Sequence, residues 1–182
     1  MSTRRVTVLV SMLGAAALAL SAVAAFPPPG DKDEHKEHHK PAPAPALEPL
    51  KSLVGEWEAT GPDGKRMTAL VVKLTAAGSV VHETMFPGSE HEMVNVYHMD
   101  GEKVAMTHYC AIGNQPRMTS PPPKDGVYTF TLDKVSNGKP GQSYMGELVV
   151  KIKGDNLTQV WASFENGKRT EGPTIEMTRK KK

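Results

Sequence analysis

The chain has 182 residues, 22 Lys and Arg against 20 Asp and Glu, a net charge of +2 and a single cysteine. A balance that close, with no nucleic-acid module in the sequence, argues against nucleic-acid binding. One cysteine, Cys110, excludes an internal disulfide, so the fold must stand on packing alone.

Residues 1–25 open with Arg4 and Arg5, continue through an apolar run from Val6 to Leu20 broken by Thr7 and Ser11, and end in Ser21-Ala22-Val23-Ala24-Ala25. A basic start, a short apolar core and a small-residue end make a secretory signal peptide. Its core is about 15 residues, whereas a spanning helix needs about 20. The sequence therefore predicts export to the periplasm or the medium, with no stable membrane insertion after cleavage. No cysteine stands at the cut, which argues against a lipid anchor.

Residues 26–49 hold too little apolar surface to offset chain entropy and read as a disordered tether. The mixed-charge run 31–40 carries His35, His38 and His39. Among carboxylates and lysines these histidines read as solvated rather than as a metal site. The stretch 41–49 alternates proline with alanine and reads as extended.

Residues 50–179 fall into short segments rich in Val, Thr, Tyr, Phe and Met, cut at even spacing by Gly, Pro, Asn and Asp. This is the pattern of an all-β sandwich or barrel. Strands are predicted near 55–61, 66–75, 79–86, 91–99, 102–111, 127–135, 143–153, 156–165 and 173–179, with one helical turn at 49–53. Residues 180–182 form a basic tail. Trp161 and Phe164 fall on opposite faces of their strand, one toward the core and the other away.

One hairpin can be read residue by residue. With Asp100-Gly101 as a two-residue loop, Tyr97 pairs with Val104, Asn95 with Met106, Met93 with His108 and His91 with Cys110. Met93, Asn95, Tyr97, Met106, His108 and Cys110 then share the inward face. Glu92, Val94, Val96, His98, Lys103, Ala105, Thr107 and Tyr109 share the outward one. The inward set is more polar than a plain core requires. After Cys110, Pro116 and the run Pro121-Pro122-Pro123 read as strand breakers. Asn114, Gln115 and Arg117 are accordingly expected on a loop at the barrel mouth, where amides and a guanidinium can orient a polar head group.

His108-x-Cys110 invites a nucleophilic reading, but two same-face residues in a strand lie about 6.5–7 Å apart, and no third group orients them. No catalytic residue is assigned. His108 with His91 or His82 is the one metal or haem alternative that imidazole chemistry offers. No spacing names a metal or other cofactor or sets an oligomeric state. The ten methionines read as adaptable core filling.

Gly55-Glu56-Trp57, just after a helical turn and heading the first strand, resembles the Gly-x-Trp entry of the calycins, the lipocalin and fatty-acid-binding-protein superfamily. Ile175, Met177 and Arg179 share one face of the last strand. In that family an arginine from the end of the barrel commonly lies over the tryptophan, and the resemblance assigns this part to Arg179. The segment from Thr107 to Met118 also resembles a stretch of uncharacterised exported bacterial proteins with this barrel. The resemblance covers residues 50–179 and implies a single antiparallel up-and-down barrel of about 8–10 strands with a ligand cavity. The leading expectation is a non-enzymatic binding module for a small, partly apolar ligand. The alternatives are a haem or metal barrel, possibly enzymatic, using His108, and a structural, envelope-associated protein.

Ala22 and Ala24, or Val23 and Ala25, place small residues where signal peptidase needs them. N-terminal sequencing of the exported protein should read from Ala25 or Phe26; a sequence starting at Met1 or Ser2 would refute the cleavage.

Overall fold

Alternating side chains give each segment one apolar face, and antiparallel neighbours joined by short turns bury those faces against one another. The computed structural model of the chain describes residues 42–181; the expected signal peptide and most of the expected tether lie outside the described residues. A short helix α1 (Glu48–Lys51) leads into β1 (Gly55–Thr60), β2 (Arg66–Thr75), β3 (Val80–Met85), β4 (Met93–Asp100) and β5 (Lys103–Tyr109). Then come β6 (Gln115–Ser120), β7 (Val127–Ser136), β8 (Tyr144–Lys153), β9 (Asn156–Glu165) and β10 (Lys168–Arg179). Each strand pairs antiparallel with the next and β10 returns to β1, closing an up-and-down barrel. Both the all-β class and the barrel agree with the sequence.

The strand count is ten rather than nine, because 115–120, expected as a loop, is a strand. Pro116 stands one residue beyond the last β5–β6 pair, Thr107 with Arg117, a ladder end, where a proline is tolerated. On its other side Pro116 stays in register with Val135 of β7. The central hairpin turns at Gly101-Glu102, with Asp100 opposite Lys103, and Gly101 has φ 59°, the glycine-first arrangement of a type II′ turn. The register is thereby shifted by two residues from the expected one: Tyr97 faces Met106 and Asn95 faces His108. A shift of two keeps every side chain on its face, whereas a shift of one would have inverted the hairpin.

The α1 end is sealed by Leu47, Leu50, Leu53 and Trp57, all at most 1% exposed. The Trp57 indole N–H donates to the Leu53 carbonyl at 2.7 Å, and the Arg179 guanidinium lies over the ring, 4.3 Å from its centroid. The same guanidinium donates to the carbonyls of Val54 and Ser52 and to Asp155. Tyr128 donates its hydroxyl to the Ala46 carbonyl. Leu47 and Ala46 thus belong to the core, so the barrel domain begins a few residues earlier than the tether boundary at 49 implied. Two β-bulges in β8 and β10 are set by glycine: a Cβ on Gly146 would come 2.5 Å from the Phe164 ring, and one on Gly172 2.8 Å from the Trp161 carbonyl. Trp161 faces the core, and Phe164 lies outside it, stacked on Tyr144.

Truncating a fully buried aromatic removes its transfer energy and leaves a cavity. Trp57→Ala should lower the unfolding free energy by about 3–5 kcal/mol, measured by urea denaturation; a loss below about 1 kcal/mol would mean that the ring is not part of the seal.

Candidate functional site

The middle of the barrel is polar. Glu83 of β3, Asn95 of β4 and His108 of β5 are register partners in one lateral row, each at most 1% exposed. Asn95 Nδ2 donates to Glu83 Oε1 at 2.6 Å. His108 Nδ1 meets Asn95 Oδ1 at 2.7 Å. Since Asn95 Oδ1 can only accept, Nδ1 carries the proton and Nε2 is left as a bare lone pair. From the opposite wall Gln159 of β9 spans the lumen and donates Nε2–H to both Glu83 oxygens at 3.1 Å. The Trp161 indole N–H donates in turn to Gln159 Oε1 at 3.3 Å. Tyr97 offers its hydroxyl to Glu83 from 3.5 Å, and the His108 ring lies 5.0 Å from the Trp161 ring, centroid to centroid.

The electrostatics follow from burial. Desolvation pushes the Glu83 carboxyl above its ordinary range, and the hydrogen bonds from Gln159, Asn95 and Tyr97 pull it partway back. Desolvation lowers the His108 imidazole to about 4, so the ring is neutral at physiological pH. Nε2 of His108 has no hydrogen-bond partner among the described residues. Leaving such an acceptor dry and unpaired costs about 1–3 kcal/mol.

Around this row the inward side chains are Met85, Tyr97, Met106, Met118, Phe130 and Trp161, all at most 2% exposed. The wall is not zipped all round. β1 and β10 pair only at Trp57 with Arg179 and at Glu58 with Thr178. Beyond them the seam opens into a cavity of about 750 Å³ lined by Ala59, Met67, Phe86, Leu157, Ile175 and Met177, together with outer polar residues. Ile175 is the register partner of Gln159, so the inner wall of the gap adjoins the polar row.

The residues singled out from the sequence divide into two groups. Asn95, Tyr97, Met106 and His108 come together in the interior, with half-buried Met93 beside Met85. The others do not join them. Cys110 is partly exposed in the turn after β5, where its carbonyl accepts from Gly113 and its N–H donates to the Asn114 carbonyl. Asn114 is buried but ties that turn to the β7–β8 connection by donating to the Ser143 carbonyl. Gln115 bonds the Gly113 carbonyl. Arg117 lies on the outer face of β6, its guanidinium held by Asp100 and Asp133, and not on a mouth loop. Likewise His82 sits on the face of β3 opposite Glu83, and His91 is exposed in the loop before β4. Neither shares the interior with His108. Sequence reasoning missed Glu83 and Gln159. The signal was present: Val81-x-Glu83-x-Met85 and Leu157-x-Gln159-x-Trp161 put each polar residue in phase with inward apolar ones.

No protein-family model matches the chain, and no curated protein matches it.

A base with a folded pKa below its unfolded value favours the fold while neutral. The His108 contribution is complete above pH 6.5 and is lost as pH falls toward 4, a change of about 3 kcal/mol. Glu83, the titratable group nearest through Asn95, acts with the opposite sign above pH 4.5, so the measurement must cancel it. The stability of wild type relative to His108→Gln, from urea unfolding, should therefore drop by about 3 kcal/mol between pH 7 and pH 4. A His108 NMR titration with its midpoint near 6.5 would contradict a buried neutral ring.

Proposed function

We propose that this chain is an exported, calycin-like binding module that holds a small, partly apolar ligand and performs no chemistry on it. The observation that carries the reading is the unzipped β1–β10 seam, whose cavity of about 750 Å³ lies in the usual size range of small-ligand sites and is walled on its inner side by apolar side chains. Support for the calycin kinship comes from Trp57 under Arg179 at the sealed end and from barrel closure. Export rests on the signal pattern of residues 1–25. Neither nucleic acid nor stable membrane insertion is part of this reading.

One observation favours a second reading, haem or metal ligation by His108. Its Nδ1–H is held by Asn95, which Glu83 backs, and its Nε2 is bare, as metal-binding imidazoles are commonly arranged. A planar macrocycle, however, would have to part walls that Gln159 and Glu83 tie together. Adding haemin and scanning for a Soret band that His108→Ala removes would establish the second reading.

Native mass spectrometry of the mature protein purified from its own periplasm should show a co-purified mass of a few hundred daltons, lost on denaturation. A bare polypeptide mass under conditions that preserve non-covalent complexes would favour a structural role for the barrel.

A further inference from the structure

Within the polar row every buried side-chain donor is already engaged. Trp161 Nε1 donates to Gln159, Gln159 Nε2 and Asn95 Nδ2 donate to Glu83, Tyr97 points its hydroxyl at Glu83, and His108 Nδ1 donates to Asn95. What remains is one acceptor, His108 Nε2, buried and unpartnered. Because Nδ1 is turned to β4, Nε2, on the far side of the ring, points away from that strand. Trp161 lies against the ring, 5.0 Å between centroids.

We propose that the interior selects a ligand that donates a hydrogen bond, a neutral alcohol, phenol or N–H head group on a slim apolar body, and that His108 Nε2 is the atom that receives it. This rests on the binding-module reading above and gives that module its ligand class.

Charge supports the selection. The buried polar side chains are Glu83, Asn95, His108, Asn114, Ser120 and Gln159, with no lysine or arginine among them. A carboxylate head group would meet a lone pair and, beyond Asn95 in the same row, the Glu83 carboxyl, with no cation to offset either. His108 cannot supply that cation, since burial holds its imidazole neutral down to about pH 4. Tyr97, the other titratable group facing the row, is pushed further toward its neutral form by burial and by Glu83. An ether or ester head group also fails, because it brings a second acceptor to an acceptor. The apolar body packs against Met85, Met106 and Met118, whose unbranched side chains re-rotate to make room.

The test uses three probes of matched length, octan-1-ol, 1-methoxyheptane and octanoate, titrated into the mature protein at pH 7 with tryptophan emission as the readout. Octan-1-ol should bind roughly tenfold or more tighter than the ether, with octanoate no better than the ether. His108→Phe should bring alcohol and ether within about twofold of each other. Octanoate binding as tightly as the alcohol, or an alcohol preference that survives His108→Phe, would overturn the proposal while leaving the binding module standing. No saturable response to any probe would instead overturn the binding module. Should His108→Phe not fold, the ¹⁵N resonance of His108 Nε2 in the wild type decides: it should move on adding octan-1-ol and stay put on adding 1-methoxyheptane, and equal movement with both would count against Nε2 as the acceptor.

Discussion

A carboxylate placed in the dry middle of a barrel has to be met by donors from several strands at once, and meeting that demand organises the lumen. Glu83 draws Asn95 from the adjacent strand and Gln159 from the opposite wall. These two amides fix the next groups outward, His108 through Asn95 and Trp161 through Gln159. The order of donors and acceptors along the chain is therefore dictated by one acidic residue. If either amide were replaced by an apolar group, the carboxyl would be left short of donors in a low-dielectric site, where an unpaired polar group is most costly. The network also bridges the two walls, so the cross-section at this level is set by hydrogen-bond lengths as well as by side-chain volume.

The α1 end obeys a different logic. There the chain has to turn from a short helix into β1 without leaving carbonyls dry, and Arg179 accepts three tasks at once. Its guanidinium covers the Trp57 ring, satisfies the Ser52 and Val54 carbonyls and pairs with Asp155. A lysine would keep the charge but lose the planar fork that serves several acceptors together. Gly55, with φ 129° and its Cβ position 3.4 Å from Arg179 Nη1, gives the backbone the room this arrangement needs.

Much of this was legible in the sequence, and the reasons differ residue by residue. Period-two alternation found the inward set Asn95, Tyr97, Met106 and His108 even though the turn was placed one residue early, because the resulting two-residue slip preserves faces. Gly55-x-Trp57 and the phase of Ile175, Met177 and Arg179 located the seal. Strand β6 was not legible, since a proline inside it contradicts strand propensity and its pairing with Val135 of β7 lies 19 residues away in the chain. Arg117 followed the same error: once 115–120 is a strand, odd positions face outward, where Asp100 and Asp133 take the guanidinium. Glu83 and Gln159 stayed hidden because acidic and amide residues in strands usually face water. Only their phase with Val81, Met85, Leu157 and Trp161 contradicts that prior, and the partners that satisfy them lie 12 and 76 residues away in the chain.

The seal and the gap are two effects of one irregularity. In β1 the pairing with β2 jumps between Trp57, opposite Leu70, and Glu58, opposite Thr68, leaving Ala69 unpaired in register. A bulge of this kind increases the local twist and re-aims the strand. The pairing of β1 with β10 ends at the same place, after Glu58 and Thr178. Before the bulge, Trp57 is tucked under Arg179 and the barrel is closed; after it, Ala59 and Met177 no longer share a ladder and the seam stands open. The unpaired Ala69 carbonyl is not left dry, because it accepts the Phe86 N–H. That bond anchors Phe86 beside the gap it lines. Straightening the bulge would extend the β1–β10 ladder and close the cavity, but it would also withdraw Trp57 from its place against the Leu53 carbonyl.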